Sequence, residues 1–259
     1  TRGEASRFGI LKRESNGKIS DFVEKPKDAE TQNKFISRDD PERPFLGSMG
    51  IYMFNTKVLI DYLTNFPSYD DFGSDIIPNA IKTHDVYGFD FDGYWQDIGT
   101  IRSFFETNLM LTTASTPFDF YDAKLPIYTD TRYLPASIVE DSTLKDVLIA
   151  EGSKILKSQI THSIIGIRSQ IASGCIIKDS IVMGADYYER DRHTLPIGIG
   201  ANCHIENAIL DKNCHIGDNV TIKPFPRNTD IDNEKWFVRD GIVIIPKDTE
   251  IPSGTTIAP

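Results

Sequence analysis

The segment Ile165-Gly166-Ile167-Arg168-Ser169-Gln170-Ile171-Ala172-Ser173-Gly174-Cys175-Ile176-Ile177 decides the fold of the second half of this chain. Isoleucine recurs every six residues in it, with glycine and small polar residues between. The same interval links other aliphatic residues after about residue 136, namely Ile149 and Ile155, Ile199 and Ile205, Leu210, Ile216 and Ile222, and Ile245, Ile251 and Ile257. Amphipathic helices repeat near 3.6 residues and strands near 2. A period of six therefore predicts a left-handed parallel β-helix with these side chains inside.

Two stretches, 185–196 and 223–240, interrupt the period and are predicted to be loops that leave the coil. Ahead of the coil, Pro117, Pro126 and Pro135 occur in a segment with little periodicity, which predicts a linker packed over both neighbours. We therefore expect an α/β domain over 1–116, a linker over 117–136 and a β-helix over 137–259. A solenoid leaves its last coil open, which favours either a cap or contact with another subunit.

Residues 1 to about 112 alternate between strand and helix patterns, as α/β domains do. Asn16-Gly17 lies between two apolar runs and predicts a hairpin. Further patterns predict a buried strand over 49–54, helices over 56–63 and 74–83, a strand over 86–94, and a helix over 100–111 with Thr100 as N-cap. Asp71-Phe72-Gly73 is interpreted as the lead-in to the second of these helices.

The composition excludes some classes of protein. The 259 residues carry a net charge of −10, which argues against nonspecific nucleic-acid binding. Three cysteines without a C-x-x-C pair favour a reducing compartment over a disulfide framework. Cys203-His204 and Cys214-His215 could form a zinc site, but turn positions in the repeat explain them better. No apolar run approaches the ~20 residues of a membrane span, and no signal peptide is visible, so we expect no membrane partner.

Three segments place polar side chains where chemistry is possible. Glu24-Lys25 ends a predicted strand ahead of Pro26, so that a carboxylate for sugar hydroxyls stands beside an ammonium for a phosphate; a solvated surface pair is the alternative. Ser48 lies between glycines, where a ligand can approach the backbone, unless the glycines only allow tight packing.

Asp97 precedes the predicted helix at 100–111, at a strand-to-helix corner. A carboxylate there can hold a metal ion or a substrate hydroxyl, or it can merely cap the helix.

Taken in order, several motifs resemble the sugar-nucleotide pyrophosphorylases, and among them most closely the ADP-glucose pyrophosphorylases (glucose-1-phosphate adenylyltransferases). They are FVEKPK at 22–27, FLGSMGIY at 45–52, DFGSDIIP at 71–78 and DGYWQDIGT at 92–100. Residues 118–136 and MGADYYE at 183–189 look like the plant and cyanobacterial branch. The resemblance implies a partial nucleotidyltransferase, Rossmann-like α/β domain followed by the β-helix. It also implies formation of ADP-glucose and pyrophosphate from ATP and glucose 1-phosphate, with Mg2+, for glycogen or starch synthesis.

The resemblance also assigns roles to residues. Glu24, Lys25 and Ser48 match family contacts to glucose 1-phosphate, and Asp97 matches the catalytic acid that helps to hold magnesium. Lys212 and Lys247 stand in contexts that bind an anionic effector such as 3-phosphoglycerate. Arg239 lies near a context where the family has an effector-binding lysine. The family further implies a homo- or heterotetramer, in the bacterial cytoplasm or the plastid stroma.

One expected motif is missing: the sequence contains no glycine-rich stretch like G-G-G-x-G-T-R-L, which cradles the nucleotide phosphates in the family. We therefore expect the chain to be the C-terminal part of a longer enzyme, with an incomplete ATP site and no activity alone. A noncatalytic regulatory subunit and a pyrophosphorylase for another sugar nucleotide stay open. A β-helix acyltransferase using His162, His204 or His215 is a more distant alternative.

Overall fold

The computed structural model describes residues 1–189 and 195–259, so the centre of the predicted loop at 185–196 lies outside the described residues. The chain divides into two compact units, Thr1–Trp95 and Gln96–Pro259. Within the described ranges, no helix is long and apolar enough to cross a membrane.

The first unit is built on a small antiparallel sheet of three strands, β1 (Ile10–Arg13), β2 (Ile19–Val23) and β3 (Leu46–Gly47), in the order β2-β1-β3. The predicted hairpin is confirmed: β1 pairs with β2, and Gly17 turns the chain with a φ of 89°. The helices predicted over 56–63 and 74–83 are also present, the second beginning with a π-helical turn. The elements are β1 Ile10–Arg13, β2 Ile19–Val23, α1 Ala29–Lys34, β3 Leu46–Gly47, α2 Thr56–Asn65, the π-helical turn Phe72–Ile76 and α3 Ile77–Thr83.

Two strand predictions in this unit are wrong. Residues 49–54 form no ladder, and Met53 is 99% exposed, although Phe54 packs against the cluster around Tyr62. Over 86–94, the described pairing is a single bridge between Lys18 and Tyr87, and Phe89 is exposed. An apolar run becomes a buried strand only where neighbours pair its backbone and cover both faces. Over 51–54, side chains on only one side of the segment are partly buried, and the others are exposed to solvent.

The second unit contains the predicted parallel coil. Successive short strands pair in parallel with strands one turn later in the coil. The strands are β4 Ile138–Glu140, β5 Thr143–Ile149, β6 Lys154–Leu156, β7 Gln159–Ile165, β8 Gln170–Ile171, β9 Ile176–Val182, β10 Gly198–Ile199, β11 His204–Glu206, β12 Ala208–Leu210, β13 His215–Ile216, β14 Thr221–Ile222, β15 Ile231–Asp232, β16 Phe237–Arg239, β17 Ile242–Ile245, β18 Glu250–Ile251 and β19 Thr256–Ile257.

The corners of the coil are made by residues in the left-handed conformation. In β7 and β9, His162 and Asp179 have φ values of 44° and 46°, and each bends its strand from one face to the next. Inside the coil, serine hydroxyls accept hydrogen bonds from backbone N–H groups one turn later, as Ser158 does from Cys175 at 3.1 Å. These bonds pair amides that the turns leave outside the ladders.

The predicted inward residues form the core, except that Ile149 is only partly buried and packs against it. Ile155, Ile165, Ile177 and Ile205 are fully buried in one continuous cluster. Burial of apolar side chains without voids is the main stabilising contribution to such a coil. The predicted loop at 223–240 does leave the coil and contains the antiparallel pair of β15 and β16.

Helix α4 (Ile101–Met110) packs on the outside of the coil through Phe105 and Leu109, which contact Ile181 and Ile209. Thr100 caps it as predicted. The guanidinium of Arg102 binds the carboxylate of the corner residue Asp240 at 2.6 Å.

The segment 117–136 contains no strand or helix, as a linker should. It is not packed over its neighbours along its length, however, because Tyr121, Leu125, Tyr128 and Tyr133 are strongly exposed. The domain boundaries at 116 and 136 stay a prediction.

Candidate functional site

Glu24 and Lys25 stand directly after β2. The ammonium of Lys25 lies 3.3 Å from Oε1 of Glu24, and Lys25 has a left-handed φ of 45° ahead of the buried Pro26. The Lys25 side chain is 58% exposed, whereas that of Glu24 is 22% exposed. A partly enclosed carboxylate beside an accessible ammonium suits a ligand that carries both hydroxyl groups and a phosphate.

Ser48 follows β3 in the same unit. Its backbone N–H donates to the carbonyl of Gly9 at 2.8 Å, and its hydroxyl lies 3.2 Å from the hydroxyl of Tyr52. The ring of Tyr52 stacks on Phe72, with centroids 5.6 Å apart. Ser48, Tyr52 and Phe72 thus form one small cluster of polar and aromatic side chains.

The segment 71–73 does more than lead into a helix. Asp71 caps the π-helical turn by accepting from the N–H of Ser74 at 2.6 Å, so the segment does lead into the helix. This hydrogen bond lowers the pKa of Asp71, and the charge of Lys25 adds to the effect. Gly73 meanwhile lies against the side chain of Glu24. The segment 71–73 therefore contacts Glu24 through Gly73 and the neighbour of Ser48, Tyr52, through Phe72.

Sequence reasoning missed Tyr52 and Phe72. Tyr52 had only its even spacing from Ser48 as a signal, and Gly50 between them has a left-handed φ of 70°, which breaks the alternation of an extended strand. The contribution of Phe72 had no local signal, since it comes from a distant segment.

Asp97 belongs to the second unit, whereas Glu24, Lys25 and Ser48 belong to the first. Its Oδ1 accepts from the N–H of Gly99 at 3.1 Å, and the side chain is half-buried. Thr100, not Asp97, caps α4, so helix capping does not explain this carboxylate. No strand leads directly into it, and the predicted corner is a loop-to-helix corner, because the pairing of 86–94 is limited to the bridge between Lys18 and Tyr87.

Asp97 offers one carboxylate to a metal ion. Mg2+ prefers carboxylate and phosphate oxygens and often takes only one or two protein ligands. Oδ2 of Asp97 makes no hydrogen bond within residues 1–189 and 195–259, which leaves it available to a cation. No group of three or more His, Cys, Asp or Glu in those ranges could hold a metal alone.

A basic corner, consisting of Lys212, Lys247 and Asp186, lies on the β-helix. Both ammonium groups lie 2.7 Å from the carboxylate of Asp186, one on each oxygen. These hydrogen bonds, that of Lys212 first, hold the pKa of Asp186 far below its usual range, and the pKa of Lys247 is raised in turn. The buried Asn213 donates to Asp186 at 3.3 Å and to Asp248 at 2.8 Å. The structure therefore brings the two predicted lysines together.

Arg239 lies in a different environment. Its guanidinium binds the carboxylate of Asp232 at 2.5 Å and the carbonyl of Ile231 at 3.1 Å, and it lies over the ring of Phe237. None of the hydrogen bonds or ion pairs described for it reaches Lys212 or Lys247. The structure does not join Arg239 to the basic corner.

The cysteine and the histidine of each pair, at 203–204 and 214–215, lie in different surroundings within the coil. The thiols of Cys203 and Cys214 point into the core, and burial raises the pKa of Cys214 to about 12. His215 instead lies 2.7 Å from the carbonyl of Leu195. His162, which the acyltransferase alternative also includes, has its Nδ1 atom 2.6 Å from Oδ1 of Asp179 on the adjacent coil.

Comparisons with known proteins agree with this architecture. Residues 1–114 match a family model described as nucleotidyl transferase, and residues 132–256 match the GLGC left-handed parallel β-helix domain. The glucose-1-phosphate adenylyltransferase small subunit, chloroplastic/amyloplastic, of Triticum aestivum is 42% identical over an alignment of length 278, gaps included, that covers 98% of this chain and 58% of that protein. The chain thus spans less than two thirds of that relative. It belongs to the ADP-glucose pyrophosphorylase (glucose-1-phosphate adenylyltransferase) family, with a small-subunit-like sequence.

Proposed function

We propose that the complete polypeptide to which these residues belong transfers the adenylyl group of ATP to glucose 1-phosphate, forming ADP-glucose and pyrophosphate. The observation that carries the proposal is the Glu24-Lys25 pair, 3.3 Å apart at the end of β2 in a chain of this family. Starch or glycogen synthesis, in the plastid stroma or the bacterial cytoplasm, is the corresponding process.

The role of each residue in this proposal follows from the chemistry of its side chain. The Glu24 carboxylate accepts hydrogen bonds from sugar hydroxyls, and the exposed Lys25 ammonium can turn from Glu24 to the sugar phosphate. The Ser48 hydroxyl provides a further polar contact. Alignment of the sugar phosphate for attack on the α-phosphorus of ATP then provides much of the rate enhancement. Asp97 would be a ligand of Mg2+, which neutralises the charge that develops on the phosphates.

The basic corner supports a regulatory proposal. Two ammonium groups at one corner of the coil suit an anion with a carboxylate and a phosphate, such as 3-phosphoglycerate. Arg239 would contribute from a separate position on the loop 223–240. Replacing Lys212 or Lys247 by alanine should raise the activator concentration that is needed and leave unactivated kcat unchanged. Assembly into a homo- or heterotetramer belongs to the same proposal.

Lys25→Ala tests the substrate assignment in the complete polypeptide. Loss of the phosphate contact should raise KM for glucose 1-phosphate about tenfold or more, with KM for ATP within about twofold of wild type. Lys27→Ala is the matched control, since Lys27 is exposed two residues further on. A raised KM for ATP with an unchanged sugar KM would contradict the assignment.

The alternatives predict other outcomes. A noncatalytic regulatory subunit would form no ADP-glucose even as a complete polypeptide but would change the activator response of an active partner. A pyrophosphorylase for another sugar nucleotide would show a higher kcat/KM with a different nucleoside triphosphate or sugar phosphate. The 259-residue chain alone, which has no glycine-rich nucleotide loop in its sequence, should form no ADP-glucose.

A further inference from the structure

Two glycines from distant parts of the first unit enclose the carboxylate of Glu24. A β-carbon placed on Gly9 would lie 2.7 Å from Oε2 of Glu24. A β-carbon on Gly73 would overlap that oxygen and lie 2.7 Å from Cδ. Because Oε1 faces Lys25, the carboxylate is fixed between an ion pair on one side and two bare backbone positions on the other.

Backbone conformation does not explain Gly73. Its φ lies outside the left-handed region that favours glycine. It also lies in the π-helical turn Phe72–Ile76, where glycine is less stable than alanine because it loses more conformational entropy. Space for the Glu24 side chain is the remaining physical reason for glycine at this position.

The two glycines differ in what a side chain would displace. At Gly9 an added methyl group would meet the ring of Phe22, which is buried. At Gly73 the nearest atoms all belong to Glu24, a flexible side chain with room to move towards solvent. Alanine at residue 73 should therefore displace the carboxylate and leave the surrounding backbone in place.

We propose that Gly73 is a positioning residue for sugar binding: its missing side chain sets where the Glu24 carboxylate stands and so where the sugar hydroxyls bind. This role rests on the proposed function of Glu24. Gly73 itself acts only through Glu24.

A double-mutant cycle in the complete polypeptide tests the proposal. Gly73→Ala should raise KM for glucose 1-phosphate about tenfold while KM for ATP stays within about twofold. In a Glu24→Ala background, where the side chain it displaces is absent, Gly73→Ala should change the sugar KM less than about twofold. Gly88→Ala is the control, because a β-carbon there meets its neighbours at an ordinary 3.7 Å.

The possible outcomes distinguish a failure of the proposed function from a failure of the positioning role of Gly73. A wild-type enzyme that forms no ADP-glucose from glucose 1-phosphate would overturn the function itself. An active wild type with an unchanged sugar KM in Gly73→Ala, or with equal effects of Gly73→Ala in both backgrounds, would overturn the positioning role alone. If Gly73→Ala folds poorly, adding Glu24→Ala should restore its Tm; a double variant that melts as early as the single one would also overturn the role.

Discussion

Asp186 and Lys247 form an ion pair of 2.7 Å, and the other oxygen of the same carboxylate pairs with Lys212. The two lysines lie on successive coils, since the N–H of Asp248 donates to the carbonyl of Lys212. Neighbouring strands are only about 4.8 Å apart, so the two ammonium groups would repel each other without an anion between them. Asp186 supplies that anion from within the chain, and any anionic effector at this corner must compete with it.

The first prediction concerns this competition. Asp186→Asn removes the one carboxylate that both ammonium groups contact and leaves Lys247 with the more distant charges of Asp248 and Asp211. The concentration of 3-phosphoglycerate for half-maximal activation should therefore fall several-fold, and the effect should weaken in high salt. Asp61→Asn removes a comparable exposed pair with Lys57 on α2 and serves as the control. An activation curve identical to wild type would show that Asp186 does not compete with the effector.

The second prediction is a pH dependence. Lys212 and Lys247 hold the pKa of Asp186 below its ordinary 3.8, so the folded state binds this proton more weakly than the unfolded state. The stabilising contribution is thus fully present above about pH 4 and is lost as the pH falls further. The Tm difference between wild type and Asp186→Asn should be constant from about pH 7 to pH 5 and shrink below about pH 4. A difference that grew in acid would contradict this sign.

The third prediction compares two neighbouring isoleucines of β9. Ile177 is buried in the coil, whereas Ile176 points outward and is 42% exposed. Ile177→Ala should lower the free energy of unfolding by about 2–5 kcal/mol through lost burial and a cavity. Ile176→Ala should change it by less than about 1 kcal/mol. Urea unfolding of both variants measures the contrast, and equal losses would show that the coil does not depend on its inward positions.

The β-helix was predictable because its signal is repeated. Each face of the coil places an aliphatic residue at the same position of its six-residue unit, so that Ile165, Ile171 and Ile177 together exclude a helical or simple strand period. The lack of strands at 49–54 and 86–94 was not predictable, since strand formation depends on partners outside the segment. Met53 and Phe89 are apolar but find no cover.

In the candidate site, too, contacts between sequence neighbours were predictable and contacts between distant segments were not. Glu24 and Lys25 are adjacent in sequence and stay adjacent in space. The contact of Gly73 with Glu24 joins positions 49 residues apart, and Asp186 meets Lys247 across 61 residues. Such contacts follow from the fold rather than from any local pattern, so the sequence predicted the lysines but not the carboxylate between them.

The last prediction concerns Asp97. Asp97→Asn keeps the Oδ1 atom that accepts from Gly99 and leaves the cap of α4, which is Thr100, untouched. Tm should therefore stay at its wild-type value. The variant loses the negative charge that would hold Mg2+, so kcat of the complete polypeptide should fall about a hundredfold or more while the sugar KM changes little. Asp92→Asn, at an exposed carboxylate five residues earlier, is the control. Wild-type kcat in Asp97→Asn would remove this residue from the mechanism, and a lowered Tm would return it to a structural role.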